Sequence, residues 1–291
     1  MFAKAYEIAT KFTHPLIVVY RLYDTTVESG LGTFIVINDE GWIMTAAHNL
    51  EVSWIFQQHQ IELAKANEQM AAVNENAALK PYQRDRALKN VKRNPKWITH
   101  YVICLGATVA QFEEHHIERE HDVALVKVDP KIISDITGFP RFKNPNNVQV
   151  GTSVCKLGHP FYRISATYDE ASNSFSFPQN LFPIPRFPIE GIYTRNVIAG
   201  KGSDGTTDVM YLETSSPGLT GQSGGPIFDA EGDVYALQSQ NATIPLGFKG
   251  TVEISGRKYD ENQFINVGLG VHTATIVHLL KKYKINFEMA E

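Results

Sequence analysis

The chain is poor in cysteine, with only Cys104 and Cys155 among 291 residues. Two cysteines cannot build the disulfide framework that staples small secreted domains. Both lie in strand-like apolar runs, so buried free thiols are expected. Excess charge of either sign is also missing: 27 Lys and Arg face 31 Asp and Glu, for a net charge of −4. That gives no global drive toward nucleic acid. No apolar run is long enough to span a bilayer. The opening Met1-Phe2-Ala3-Lys4-Ala5-Tyr6-Glu7-Ile8 lacks the apolar core of a signal peptide, so a cytoplasmic protein is expected. The residues Glu113, Glu114, His115, His116, Glu118, Glu120 and His121 crowd together without a recognised ligand spacing, so they read as an acidic surface loop. No metal and no cofactor are expected.

What remains is a chain 43% hydrophobic and 20% charged, ample for a buried core. Short β-type runs recur at 16–20, 33–37, 98–104, 123–128, 153–157, 193–197 and 234–237. Turn residues such as Asn38-Asp39-Glu40-Gly41 punctuate them, which argues for an all-β protein of barrels or sandwiches. A stretch rich in Pro and Asn, 139–147, separates two halves, 1–138 and 148–291. The end, 273–283, reads as a helix with Ile276, Leu279 and Leu280 on one face.

The most informative stretch is Gly221-Gln222-Ser223-Gly224-Gly225-Pro226. A serine hydroxyl needs a base to take its proton and fixed donors to hold the oxyanion that follows. Upstream lie Met44-Thr45-Ala46-Ala47-His48-Asn49 and His121-Asp122-Val123-Ala124-Leu125-Val126-Lys127-Val128. Each segment alone has an ordinary structural reading. Together they run His48, Asp122, Ser223, the chain order of the chymotrypsin arrangement.

With these motifs the chain resembles a trypsin-fold serine peptidase, closest to the HtrA/Deg branch without a PDZ domain. Supporting stretches are Gly30-Leu31-Gly32-Thr33-Phe34-Ile35-Val36, Gly151-Thr152-Ser153-Val154-Cys155-Lys156-Leu157-Gly158 and Asn266-Val267-Gly268-Leu269-Gly270-Val271. The resemblance implies two six-stranded antiparallel β-barrels, with His48 and Asp122 in the first, Ser223 in the second, and the cleft between them. It would place the two cysteines in different barrels. It makes Ser223 the nucleophile, His48 the base and Asp122 the residue that orients His48. The amides of Gly221 and Ser223 would form the oxyanion hole. Pro217 falls at the base of the specificity pocket, where no acid stands to hold Lys or Arg, so a non-tryptic endopeptidase is implied. Ser239, Gln240 and Asn241 would form the strand edge that pairs with a substrate peptide. Gln222 departs from the Asp or Asn usual before the serine, which argues against activation by a freed N-terminus.

One segment breaks the β pattern. Residues 52–76 are strong helix formers, with Phe56, Leu63, Ala66, Met70, Val73 and Ala77 on one face. Pro81 restarts a second helix, giving a helical insertion over 52–93. It borders the cleft, offers an assembly surface, or decorates the barrel. Residues 80–96 carry seven basic side chains, which read as a solvated face rather than a nucleic-acid site. Phe and Pro alternate through 175–188, which reads as a loop packed over the barrel. A second long loop is expected over 242–264. His272 offers a weaker reading, a group facing an acidic substrate side chain. The expected partner is a peptide or protein substrate, with a regulatory partner or a second copy left open. The rival to an active peptidase is an interaction or regulatory module with a closed or unformed active site.

Overall fold

The computed structural model describes residues 1–202, 205, 208–255 and 257–290. Among them the chain is mostly β. One sheet has seven antiparallel strands in the order Thr108–Val109, Ile98–Leu105, Thr13–Leu22, Val27–Val36, Trp42–Thr45, Val123–Lys127 and Glu114–Glu118. The other runs Pro226–Phe228, Ser153–Gly158, Phe187–Lys201, Asp208–Thr214, Arg257–His272 and Val234–Ile254. The first and last of these six also pair, closing a ring. Two short strands, Arg141–Phe142 and Glu288–Met289, extend it in parallel. The expectation of six and six strands thus meets an open sheet of seven and a ring of six with two additions. The extra strands are two-residue pieces from connections, too short to carry an alternating pattern.

The apolar run Leu16-Ile17-Val18-Val19 is continuous because its strand is covered on both faces. Leu16 and Val18 join the core of the first sheet with Phe34, Val36 and Val126. Ile17 and Val19 face the other way, onto Cys104, Ile164, Leu181 and Ile184. The aromatic and proline-rich segment therefore packs over the outer face of that sheet. Cys104 and Cys155 are buried and free. The predicted loop over 242–264 is instead the far end of a long hairpin, paired from Ala236↔His272 to Ile254↔Arg257, with Gly256 outside the described residues.

Four helices are described: α1 (Ala3–Ala9), α2 (Glu51–Glu75), α3 (Pro81–Asn90) and α4 (Thr273–Lys282). α1 was not legible, because seven residues give barely two turns of periodicity; its Ala5 and Ala9 are buried in a core that draws on both sheets, with Met44, Leu125, Leu157 and Phe228. α4 buries Ile276, Val277, Leu279 and Leu280. Just beyond it, the Tyr283 ring stacks on His116 at 3.8 Å, and the Trp42 ring also stacks with that imidazole at 5.8 Å. The acidic and histidine-rich stretch is thus largely a strand, Glu114–Glu118, that helps dock the C-terminal helix. In the insertion, only Val52 and Ala66 of α2 are buried, and α3 buries nothing. The predicted stripe packs in part: Phe56 meets Tyr101 at 4.9 Å and Ala66 is buried, while Leu63, Met70 and Val73 are half-buried. Among the described residues, no helix is long and apolar enough to cross a membrane.

Candidate active site

His48 and Asp122 are delivered by neighbouring strands. Trp42–Thr45 pairs with Val123–Lys127 in the register Thr45↔Ala124, so the residues just past one end and just before the other meet. His48 lies in a short helical turn, Ala47–Leu50. Asp122 adopts a left-handed conformation (φ 53°, ψ 42°), which Asp tolerates better than most side chains. Its carbonyl accepts from Ala47 N (3.2 Å), and its Oδ1 accepts from the backbone N–H of His48 (3.0 Å). His48 Nδ1 lies 2.9 Å from Oδ2 and 3.0 Å from Oδ1. Nδ1 must donate to a carboxylate, which leaves Nε2 as the acceptor in neutral His48. The hydrogen bond that His48 donates to Asp122 holds the His48 pKa above its usual 6.5, against the pull of burial. Burial pushes Asp122 upward, but the bonds and charge from His48 and a bond from Ser239 outweigh it, so its pKa lies below the ordinary carboxylate value. The His48 side chain stays 45% exposed and that of Asp122 only 17%, so the imidazole faces the cleft and the carboxylate lies behind it.

Ser239 links this pair to the serine. Its hydroxyl donates to Asp122 Oδ2 (2.5 Å), and its carbonyl accepts from Ser223 Oγ (3.3 Å). Among the described residues no hydrogen bond joins Ser223 to His48, so a rotation of the Ser223 hydroxyl separates this arrangement from proton transfer. The Ser223 backbone is fixed from the first sheet. Its carbonyl accepts from Thr33 N (2.9 Å) and from Asn49 Nδ2 (2.8 Å). Asn49, next to His48 in sequence, thereby ties the histidine turn to the serine turn. Sequence reading missed this role and the hydroxyl role of Ser239, because nothing in either residue's neighbours announces the partner.

The turn before Ser223 depends on glycine. Gly221 has φ +100°, and a Cβ there would lie 2.5 Å from the His159 carbonyl. Gly224 has φ +84°, and a Cβ would lie 2.1 Å from the Thr33 carbonyl. The Gly221 carbonyl is held by Thr33 Oγ1 (2.7 Å) and His159 N (3.3 Å). The amides of Gln222, Gly224 and Gly225 all donate to backbone carbonyls. Those of Gly221 and Ser223 have no acceptor among the described hydrogen bonds, the state of donors available to a bound oxygen. Gln222 is fully buried: its Oε1 accepts from Leu219 N (2.9 Å) and its Nε2 donates to the Phe187 carbonyl (3.0 Å). A neutral amide thus braces the turn from inside.

The remaining predicted residues line the edge of this region. The Pro217 carbonyl accepts from Lys156 Nζ at 3.0 Å. Lys156 is fully buried, also donates to Thr214 Oγ1 (2.9 Å) and the Ser216 carbonyl, and is pushed by burial to a pKa of about 7. Gln240 is exposed, and its carbonyl accepts from Gln238 Nε2 (3.0 Å). The Asn241 carboxamide spans to the backbone of Gly218. His272 is a correction. It is buried, its Nδ1 accepts from Ala274 N (3.0 Å) as the N-cap of α4, and burial lowers its pKa to about 4. It faces the core, not a substrate.

Cavities flank the site. One of about 270 Å³ is lined by His48, Asn49, Leu31 and the Glu51, Val52 and Ile55 of α2. Another of about 160 Å³ lies between His48, Asp122, Trp54 and Arg119. The first residues of the insertion, Glu51 to Ile55, therefore wall the cavities beside His48. A third, of about 720 Å³, opens between 29–31, 161–164 and 218–220.

The profile of a family described as trypsin-like peptidase domain matches residues 32–237. Among curated proteins, none matches the chain. Among solved structures, it is similar to the HtrA-type protease AlgW with a tripeptide (14% identity, TM-score 0.48, covering 97% of this chain and 63% of that one). It is also similar to a variant of AlgW with a tripeptide (14%, TM-score 0.49, 98% and 64%) and to one with a decapeptide (12%, TM-score 0.50, 98% and 67%). The chain spans less than two thirds of the AlgW chains that carry the tripeptide. At 12% identity and a TM-score of 0.50, the likeness to the decapeptide-bound variant is one of fold alone.

Proposed function

The chain belongs to the trypsin-like peptidase domain family, and from that premise we propose that it is a serine endopeptidase working through Ser223, His48 and Asp122. The carrying observation is the His48 Nδ1–Asp122 bond beside a serine turn whose Gly221 and Ser223 amides lack internal acceptors. Ser223 Oγ leaves the Ser239 carbonyl, gives its proton to His48 Nε2 and attacks a peptide carbonyl carbon. The oxyanion forms at the Gly221 and Ser223 amides. His48 then protonates the leaving amine, and water hydrolyses the acyl-enzyme by the same route. Asp122 fixes the tautomer and stabilises the imidazolium. The halves 1–138 and 148–291 meet at this cleft. Cleavage after Lys or Arg is disfavoured, because the Lys156 ammonium lies against the Pro217 carbonyl at the pocket base.

A second reading is favoured by one observation, the Ser223 hydroxyl bonded to Ser239 rather than to His48. On that reading the chain is a regulatory or interaction module with an unformed site. A fluorophosphonate probe decides between them. The peptidase reading expects labelling of the native chain and none of Ser223→Ala. An unlabelled native chain, alone and with added peptides, would sink it.

A further inference from the structure

On the peptidase reading, the side chain on the acyl side of the cut would enter the slot between the strand edge at 239–241 and the turn at 217–221. Here that slot is occupied by the protein's own groups. At its mouth, Asn241 Oδ1 accepts from Gly218 N (2.6 Å) and Asn241 Nδ2 donates to the Gly218 carbonyl (2.8 Å). The two walls are thus joined by a paired amide clamp. At the back, the Gln238 carboxamide fills the space beside Gly218: a Cβ on Gly218 would lie 2.3 Å from Gln238 Nε2. At the floor, Lys156 Nζ reaches under Gly268, where a Cβ would lie 2.7 Å from it.

We propose that Asn241 is the specificity-determining residue of this cleft, restricting the residue before the cut to a small side chain such as Gly or Ala. The inference rests on the peptidase reading above. A larger side chain must break both clamp bonds and leave the Gly218 amide and carbonyl unpaired, a cost a small one avoids. Lys156 does not convert the slot into a pocket for acidic side chains. As an ammonium, its three N–H groups are already given to Thr214 Oγ1 and the carbonyls of Ser216 and Pro217; as a neutral amine it carries no charge to draw a carboxylate.

Peptidyl phosphonates place a chosen side chain in that slot, because the phosphorus fixes the register at Ser223. Ala and Phe phosphonates with the same upstream peptide are compared by inactivation rate, each normalised to labelling by a simple fluorophosphonate. The native protein is expected to react about tenfold or more faster with the Ala probe. Asn241→Gly should bring the two rates to within about threefold of each other. Asn241→Ser, which keeps a side chain in case the glycine strand misfolds, should fall between. Equal rates for Ala and Phe in the native protein overturn the proposal, as does a ratio that survives in both variants. Failure of the fluorophosphonate to label the native chain would instead overturn the peptidase reading. Amide exchange at Gly218 then decides the clamp by itself: it should be slow in the native chain and fast in Asn241→Gly, and equal exchange overturns it.

Discussion

The His48–Asp122 pair and the Ser223 turn are held in place by different means. The pair is a product of register, since two adjacent strands of one sheet end where the two residues meet. The turn is a product of distance. Its carbonyls are held by Thr33 and Asn49, 188 and 174 residues away in the chain, and its interior by Gln222 reaching to Phe187. A one-residue slip would turn every side chain of a strand to the opposite face, and the buried core opposes it strongly. A turn held by a few polar bonds has no such protection. Chemistry and assembly should therefore fail separately in the two regions, and variants can test this.

The largest effect is expected on the register-held side. Asp122→Asn keeps the shape but replaces an acceptor with an amide, so His48 can be held in the wrong tautomer. Loss of turnover of about 10⁴-fold is expected, with little change in fold. The pH profile sharpens the test. The Asp122 bond raises the His48 pKa above 6.5, and on the peptidase reading proposed above the base must be neutral to act. The rate of the native protein should therefore climb as pH rises through a value above 6.5. In Asp122→Asn the residual rate should climb at a lower pH. An unmoved acid limb would show that it does not report on His48. For stability the signs oppose: the His48 contribution is lost as pH rises through its folded value, and that of Asp122 as pH falls through its own.

A smaller loss of rate, with a larger structural cost, is expected in the turn. Gly221→Ala demands φ near +100° from a residue with a Cβ and drives that carbon to 2.5 Å from the His159 carbonyl. The turn must move, and the Gly221 amide moves with it. Turnover should fall by about 10²- to 10³-fold, as for loss of one oxyanion donor. Unlike Asp122→Asn, the variant should also lower the denaturant midpoint. Intact stability with lost turnover in both variants would erase the difference between the regions.

The same contrast explains what could be read from the sequence. His48, Asp122 and Ser223 were legible because each sits in a local motif, and the motifs stand in a diagnostic order. The start of α2 was legible from its helix formers, and the restart at Pro81 from its fixed φ. Thr33, Asn49 and Lys156 were not, since a single Thr, Asn or Lys looks the same whether it bonds water or a carbonyl more than fifty residues away. The 242–264 hairpin read as a loop because it is exposed on both faces over much of its length, and exposed strands carry no apolar alternation. His272, read as the weaker possibility of a group facing an acidic side chain, misled for the opposite reason: its ring caps a helix.

Lys156 gives the smallest effect on rate and the finest test of how the turn is held. Its charge is buried, without a carboxylate partner, against two carbonyls and a hydroxyl. Burial brings its pKa to about 7 from 10.5, so between these values the unfolded chain binds a proton that the folded chain does not. Stability linked to this group therefore rises with pH across that window. Lys156→Met keeps most of the aliphatic stem and removes the donor. It should lower stability at neutral pH by about 1–3 kcal/mol, the cost of leaving buried carbonyls unpaired. The rise in denaturant midpoint from about pH 7 toward 10.5 should flatten in the variant. A rise of equal slope in both proteins would assign it to other groups and leave Lys156 a neutral strut. A flattened rise with turnover reduced less than in Gly221→Ala would mean that the wall of the slot and the oxyanion turn, though joined in sequence, are braced independently.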